Sequence, residues 1–560
     1  MKKKLLFVLM MLVATSATMM AYDFEVDGIY YEVLSNFFDN EVLVTNNGSN
    51  YEGSYSGDVV VPETVTYNGT TYTVTMIGGY AFSYSSELTS VTLPNSVEYL
   101  GILAFADCEQ LLFVDLPNTI EEIPMHCFAA CHQLVSAPIP NSVTTIGDYA
   151  FGDCPNLYAI EIPENVTEIG TGAFRGCTSV QYATIGKSLK TIGEEAFENC
   201  QYLSSIIISS ENPYFDSRDD CNAIIETASN TLIKGCISTV VPNTVTTIAD
   251  NAFDELTNLK TIDIPNSVTS IGYGAFSYSG LESISIGSSV ISIASTAFSG
   301  CKYLSSITVD SANPVYDSRD NCHSLIETAS NTLIRGGGSR IPNTMTSIGE
   351  CAYESRTGMT TIDIPNSVTT IGNSAFAYCS NLKSVIIPNS VDSIGKWAFN
   401  RCTKLAKAVI GDSVTFIGEN AFYDCDALTS ISIPASVTYV GGGAFQYCDR
   451  LRSVVCHAIT SPDCNNVVPN NYATLFVSAE SLETYQNHAE WGKFSRIVPF
   501  IGAGRGDING DGNVAINDVT NLIDMLLSGD ELLAWADVDG DGEVTIKDVT
   551  NLIDILLNGN

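Results

Sequence analysis

Thr361–Leu382 reads TIDIPNSVTTIGNSAFAYCSNL. Its apolar positions are Ile362, Ile364, Val368, Ile371, Phe376, Cys379 and Leu382. They follow neither the helical nor the strand period over their whole length, so the stretch is not one long element. The pair Ala375–Phe376 returns 23 residues later as Ala398–Phe399, and again as Ala421–Phe422 and Ala444–Phe445. A fixed period of this size marks one coil of a stacked repeat, in which each unit buries its apolar residues against its neighbours.

Working outward, the same mark stands at Phe82, Phe105, Phe128, Phe151, Phe174 and Phe197. After a jump it stands at Phe253, Phe276 and Phe298, and after a second jump at Tyr353, which gives fourteen coils. Before most of them lies L-x-x-[IV]-x-[IL]-P, as at Leu259, Ile262, Ile264 and Pro265. The alternation predicts a short strand with inward apolar ends, and the proline ends it. The jumps hold residues 213–235 (PYFDSRDDCNAIIETASNTLIKG) and 314–336 (PVYDSRDNCHSLIETASNTLIRG), one module used twice. Each predicts a hairpin projecting from the stack, near 209–240 and 310–340. Asp216, Asp219 and Asp220 cluster in the first, but no glycine stands where an EF-type loop makes its sharp turn, so the cluster reads as a solvated turn.

A chain of 560 residues is too long for one compact core, a limit that a solenoid escapes because length only adds coils. The net charge of −38, from 63 acidic and 25 basic residues, repels nucleic acid and anionic membranes. No nucleic-acid partner is expected. Residues 1–21 read as a secretory signal peptide: Lys2–Lys4, an apolar run from Leu5 to Val13, then small residues to Ala21. That run is too short to span a bilayer, and nothing later matches it. The expected location is secreted, extracellular or cell-surface associated, and the expected state is a monomer. Ten of the 17 cysteines, from Cys108 to Cys448, lie three residues after the repeat phenylalanine. Equivalent side chains point in parallel rather than at each other, so a small buried apolar role is expected instead of disulfides.

Residues 22–60 alternate as an N-terminal β cap, with a hairpin at Asp27-Gly28 and a second beyond it at Asn68-Gly69. The solenoid is assigned to 61–455. Residues 456–501 leave the repeat, with helical spacing from Leu482 to Phe494 followed by a short apolar strand, as expected of a C-terminal cap. Residues 502–506 form a glycine-rich linker.

The most chemically specific motif occupies residues 507–560. DINGDGNVAIND begins at Asp507 and DVDGDGEVTIKD at Asp537, and each is followed by VTNLID. Twelve-residue loops with oxygen side chains at positions 1, 3, 5 and 12 and glycine at 6 match Ca²⁺, a hard cation that takes six or more oxygens around a tight turn. The first set is Asp507, Asn509, Asp511, the Asn513 carbonyl and Asp518. The second is Asp537, Asp539, Asp541, the Glu543 carbonyl and Asp548. Two Ca²⁺ sites are expected. Arg505-Gly506-Asp507 spells an integrin tripeptide, but its aspartate is already the first ligand.

The phrase IPNSVTTIGNSAFAYCSNLKSV resembles the BspA-like bacterial leucine-rich repeats, over about Val60 to Val455. The resemblance implies an α/β repeat solenoid of about 14 coils of 23 residues with one strand per coil, in an exported surface protein that adheres to a partner. The duplicated loop and helix resemble a type I dockerin, a small all-α, EF-hand-like module. This implies docking to a cohesin-like or other surface receptor. In that family the positions before the last ligand help choose the cohesin. Here they are Ile516-Asn517 and Ile546-Lys547, in place of the Ser-Thr pair common in clostridial binders.

A catalytic set is missing at the level of motif. The five histidines, His126, His132, His323, His457 and His488, form no HExxH, and no GxSxG elbow occurs. The expected protein is not an enzyme. It binds a protein or glycan through its solenoid and docks through its calcium module. The alternatives are an accessory component of an extracellular polysaccharide-degrading complex and a structural surface spacer. On the solenoid, the outward positions of I-x-I carry no aromatic residue, and Ile386, Val409 and Val455 are the candidate apolar patch. Tyr84, Tyr278, Tyr378 and Tyr447, two residues after the repeat phenylalanine, form a second candidate stripe.

Overall fold

A computed structural model describes residues 22–34, 40–48, 53–338, 340–467, 472–500, 515–528, 538 and 544–558. The signal peptide expected at 1–21 and the linker expected at 502–506 lie outside these residues. The described chain forms two compact units, one made of residues up to Leu281 with Ser292–Ala297, the other of Glu282–Ile291 and Phe298 onward.

The first unit opens with a mixed sheet. Phe24–Val26 and Ile29–Val33 pair antiparallel around Asp27 and Gly28, whose φ values of 52° and 79° suit the two-residue turn. Asn68 and Gly69 do the same between Thr64–Tyr67 and Thr70–Ile77. Glu41–Thr45 joins the two hairpins. Thr70–Ile77 then pairs with Tyr99–Leu100, and Ser56–Val60 with Glu87–Thr92, so the cap sheet leads directly into the coils.

The coils carry two parallel ladders rather than the single one implied by the resemblance. One is the I-x-I strand, as in Ala159–Ile162, Tyr182–Ile185 and Ser205–Ile208. The other is a two-residue strand just before the repeat glycine, as in Thr145–Ile146, Glu168–Ile169 and Thr191–Ile192. Where it stands, that glycine lets adjacent coils approach closely, though Ala249, Ala294 and Pro124 take its place in three coils. Gly170 donates its N–H to Ile146 O at 2.8 Å, and a Cβ there would stand 2.6 Å from Asp148 N.

In the second unit the coil Thr361–Leu382 buries all seven apolar positions named above. Its phenylalanine lies in a column of rings: Phe376 is 5.3 Å from Tyr353 and 5.1 Å from Phe399, nearly parallel to both. Between Gly372 and Cys379 the chain is not helical, which corrects the α/β assignment to mostly strand and turn with few helices. Ser374 and Tyr378 have φ of 52° and 60°, and a left-handed residue at each end of the turn stops helical propagation. Alternate N–H groups serve different partners. Those of Ser374, Phe376 and Tyr378 donate to Lys396, Ala398 and Asn400 of the next coil at 2.7–2.8 Å, while those of Ala375, Ala377 and Cys379 close turns within their own coil.

The cysteine ladder is buried as expected, and all 17 thiols are free. Its reading as an apolar position was incomplete. Cys379 donates its S–H to Tyr353 O at 3.1 Å, Cys402 to Phe376 O at 3.2 Å, and Cys425 to Phe399 O at 3.3 Å, each to the preceding coil. Burial pushes the Cys379 thiol up to about 12 and raises that of Cys402 well above its ordinary value. Brief alkylation of the native protein is therefore expected to leave Cys379, Cys402 and Cys425 unmodified by mass spectrometry, and to label them only in denaturant. Labelling at equal rates in both states would contradict the packing.

The inserted modules do not project. Phe215–Asp216, Ala223–Glu226 and Thr231–Gly235 form an antiparallel meander whose last strand pairs in parallel with Thr247–Ile248 and so takes a place in the short ladder. Ile224, Ile225 and Leu232 drive this, since all three are buried. The twin at 314–336 repeats the arrangement. Beyond the last repeat, Thr474–Ser478 and Arg496–Phe500 continue the ladder of Ser453–Cys456. These strands lack the phenylalanine motif and add rungs that it does not mark, and the solenoid has about 18 turns rather than fourteen. The helix of this C-terminal cap, α1 (Leu482–Asn487), is shorter than its spacing suggested. The chain turns extended at His488, and Trp491, fully buried, donates its indole N–H to Pro462 O at 2.9 Å.

Candidate functional site

Of the ten calcium ligands expected from sequence, Asp507, Asn509, Asp511, Asn513, Asp537, Asp539, Asp541 and Glu543 lie outside the described residues. Asp518 and Asp548 lie within them. They stand in the first turns of α2 (Ile516–Ser528) and α3 (Ile546–Asn558), whose apolar residues recur at helical spacing. Val519, Leu522, Val549 and Leu552 bury against one another with Val538 of the second loop. Both aspartates are fully buried. Asp518 Oδ2 accepts from Ala515 N at 2.8 Å, and Asp548 Oδ2 accepts from Thr545 N at 2.7 Å, the reciprocal half of a capping box. Asp548 Oδ1 also accepts from Val538 N at 2.7 Å, which ties the helix start to the start of its loop.

Beside the buried stripe, each helix leaves two large apolar side chains open. Ile516 is 69% exposed and Ile546 72%, and Leu527 and Leu557, three helical turns on, are also exposed. The duplicated sequence thus presents the same two side chains twice.

On the solenoid, the candidate strand patch is only partly upheld. Ile386 is 64% exposed and Val409 is exposed, but Val455 is 4% exposed. It lies in an interior rung, paired with Ser432 and Phe476, because the strand Thr474–Ser478 continues the sheet past it. Of the tyrosine stripe, Tyr278, Tyr378 and Tyr447 are exposed and Tyr84 is not. In the second unit the stripe is wider than sequence suggested. Tyr447 lies 4.9 Å from Tyr423, Trp397 lies 5.9 Å from Tyr423, and Arg401 sits 5.6 Å over Tyr378. Trp397 and Tyr423 occupy other positions of the same turn, and aligning whole coils on their phenylalanine would have found them.

The acidic cluster of the first insert is an ion pair. Arg218 Nε and Nη2 meet the two Asp216 oxygens at 2.8 and 2.7 Å, and Nη1 donates to Asn230 Oδ1 at 2.9 Å. Arg319, Asp317 and Asn331 repeat the set. Among the described residues no helix is long and apolar enough to cross a membrane.

Residues 75–204, 232–327 and 338–454 match the family described as BspA type leucine rich repeat region, in six copies. Residues 505–557 match the type I dockerin domain. Both are non-catalytic families, and type I dockerins are generally calcium-binding. No curated protein matches the chain. Among solved structures, a leucine-rich repeat protein from Bacteroides ovatus is 25% identical, with a TM-score of 0.39 over 85% of this chain and 100% of its own. A leucine rich cell surface protein from Faecalibacterium prausnitzii is 25% identical, with a TM-score of 0.34 over 84% and 98%. The pneumococcal vaccine antigen PcpA is 15% identical, with a TM-score of 0.34 over 86% and 99%.

Proposed function

Because the chain belongs to the BspA type leucine-rich repeat family and ends in a type I dockerin domain, we propose that it is a secreted, non-enzymatic binding protein, docked through its calcium module while its solenoid holds a macromolecule. The observation that carries this reading is the duplicated pair of exposed apolar side chains, Ile516 with Leu527 and Ile546 with Leu557, on helices that each start at a buried aspartate. Asp507, Asn509, Asp511, Asn513 and Asp518 hold one Ca²⁺, and Asp537, Asp539, Asp541, Glu543 and Asp548 hold the other. The ion supplies the charge that lets clustered carboxylates share one loop. Once ordered, the helices offer a cohesin-like receptor two equivalent isoleucines, a self-similar surface on which the partner can seat.

A pull-down from the native organism with the full chain as bait tests this. We expect one surface or scaffold protein to be retained in Ca²⁺, released in EDTA, and lost when Ile516 and Ile546 are both changed to aspartate. Retention that ignores EDTA and the substitutions refutes the docking role.

A second reading, an accessory subunit that holds glycan for a polysaccharide-degrading complex, is favoured by the exposed Trp397 and Tyr447 on either side of the half-buried Tyr423. Aromatic faces stack on sugar rings, although here the rings are tilted 50° and 58° to one another. Binding to insoluble plant polysaccharide that falls on Trp397→Ala would favour it over adhesion to protein.

A further inference from the structure

The first insert carries a charge problem that its twin does not. The insert brings the coil of Phe197 beside the coil of Phe253, where Asn258 Nδ2 donates to Gln201 O at 3.2 Å. At this junction Glu198, Asp254 and Glu255 each offer a carboxylate oxygen, all within 4.8 Å of one another. Asp254 is 8% exposed, and its Oδ1 is buried with no hydrogen-bond partner. Glu198 Oε2 is likewise buried and unpartnered. Two cations stand near these acids and act on them, Lys234 on Asp254, Glu198 and Glu255 and Arg175 on Glu198. Arg175 pairs with Glu195 at 2.7 Å and reaches Glu198 only through Oε1, at 3.5 Å. Lys234, buried on the last strand of the insert, donates to Asn251 O at 3.3 Å. Four carboxylates therefore face two cations, and the excess is two negative charges.

The twin junction shows how the chain fills the same place without an ion. Arg335 stands at the position of Lys234 and donates to the carbonyls of Cys351, Cys301 and Glu354 at 2.8–3.2 Å. Arg356 stands where the first copy has the buried Leu256, and it donates to Gly336 O at 2.9 Å. Ser299 and Ser355 replace Glu198 and Glu255, so Glu354 is the one carboxylate that corresponds. Compared with its twin, the first copy has two guanidinium groups fewer, one replaced by the Lys234 ammonium and one by Leu256, and two more acids, Glu198 and Glu255.

We propose that Glu198, Asp254 and Glu255 bind one Ca²⁺ at the first insert junction, a third calcium site separate from the two dockerin loops. An all-oxygen donor set selects a hard cation. Oxygens within 4.8 Å of one another can share an ion that sits about 2.3–2.6 Å from each, and Ca²⁺ accepts such an irregular set whereas Mg²⁺ demands near-ideal octahedral geometry and keeps most of its waters. Glu198 and Glu255 are only partly buried, which leaves a path for the ion and room for water as further ligands. Bound there, the cation fastens the last coil before the insert to the first coil after it.

The site is tested by calcium stoichiometry on the full chain, with both dockerin loops intact in every protein. Equilibrium dialysis should give one Ca²⁺ fewer per chain for E198S/E255S, which carries the residues the twin module already tolerates, than for the parent. The milder Glu255→Gln, matched in size, should weaken that site about tenfold or more without altering the circular dichroism spectrum. Equal calcium content and affinity in the parent and both variants overturns the site and leaves the three acids sharing protons instead. Because the comparison is a difference, it stands whether or not the dockerin loops bind calcium.

Discussion

Replacing Phe399 by alanine should lower the stability of the second unit by about 3–5 kcal/mol, the upper range for a core truncation. The ring is fully buried and stacked at 5.1 Å on both Phe376 and Phe422. What makes the loss large is that the gap cannot close. The turn backbone is pinned to the next coil by the bond from Phe399 N to Ala421 O at 2.7 Å, and the short ladder is pinned by Gly395 N donating to Ile371 O at 2.8 Å. Neighbouring coils are held at strand spacing and cannot collapse into the void. Phe399→Leu should cost less than half as much, because leucine keeps most of the volume. Denaturant unfolding measures both, and a midpoint for the alanine variant within error of the parent would show that the ring column is not under this constraint.

Chelation should have the second large effect, on the C-terminal helices. Isolated helices shorter than about 12–15 residues are marginal in water, and α2 and α3 each have 13 residues. Their shared core is a handful of side chains around Leu522 and Leu552. An ion present at a thousand times its dissociation constant adds about 4 kcal/mol to the folded form, enough to decide whether so small a unit folds. We expect EDTA to remove helical signal at 222 nm from the full chain, Ca²⁺ to restore it, and the strand and turn contribution to stay unchanged. A helical signal indifferent to EDTA would remove calcium from the account of the module.

The buried face of the coil was legible because a period identifies which residues are equivalent. Ile362, Phe376 and Leu382 needed only their recurrence to be placed inside. The path of the backbone between them was not legible. The left-handed residues two before and two after the phenylalanine include Leu103, Tyr149, Trp397 and Arg401. None is a residue whose chemistry announces that conformation; the hydrogen bonds to the next coil impose it. The same holds for the insert, where alternation identified strands but not the neighbour that would receive them. Val455 was misplaced because the strand that continues the sheet beyond it, Thr474–Ser478, carries no repeat motif. In the C-terminal module the two loops are expected from residue type and spacing alone, because a hard cation dictates the oxygens around it; of them only Val538 and the closing stretches 515–518 and 544–548 lie within the described residues.

The matched pair of inserts also bears on how the chain came to be. Likeness between the copies extends past the meanders themselves, from Cys200-x-Tyr-Leu-Ser-Ser-Ile to Cys301-x-Tyr-Leu-Ser-Ser-Ile and on to the coils of Phe253 and Tyr353. What was copied was a block of several rungs, and a stack whose units touch only their neighbours accepts such a block wherever the ladders run on. Within that common frame one copy carries Arg335, Arg356 and Ser299 where the other carries Lys234, Leu256 and Glu198. Two blocks with different interiors thus hold the same stack, one by guanidinium contacts to backbone carbonyls and the other around a cluster of acids.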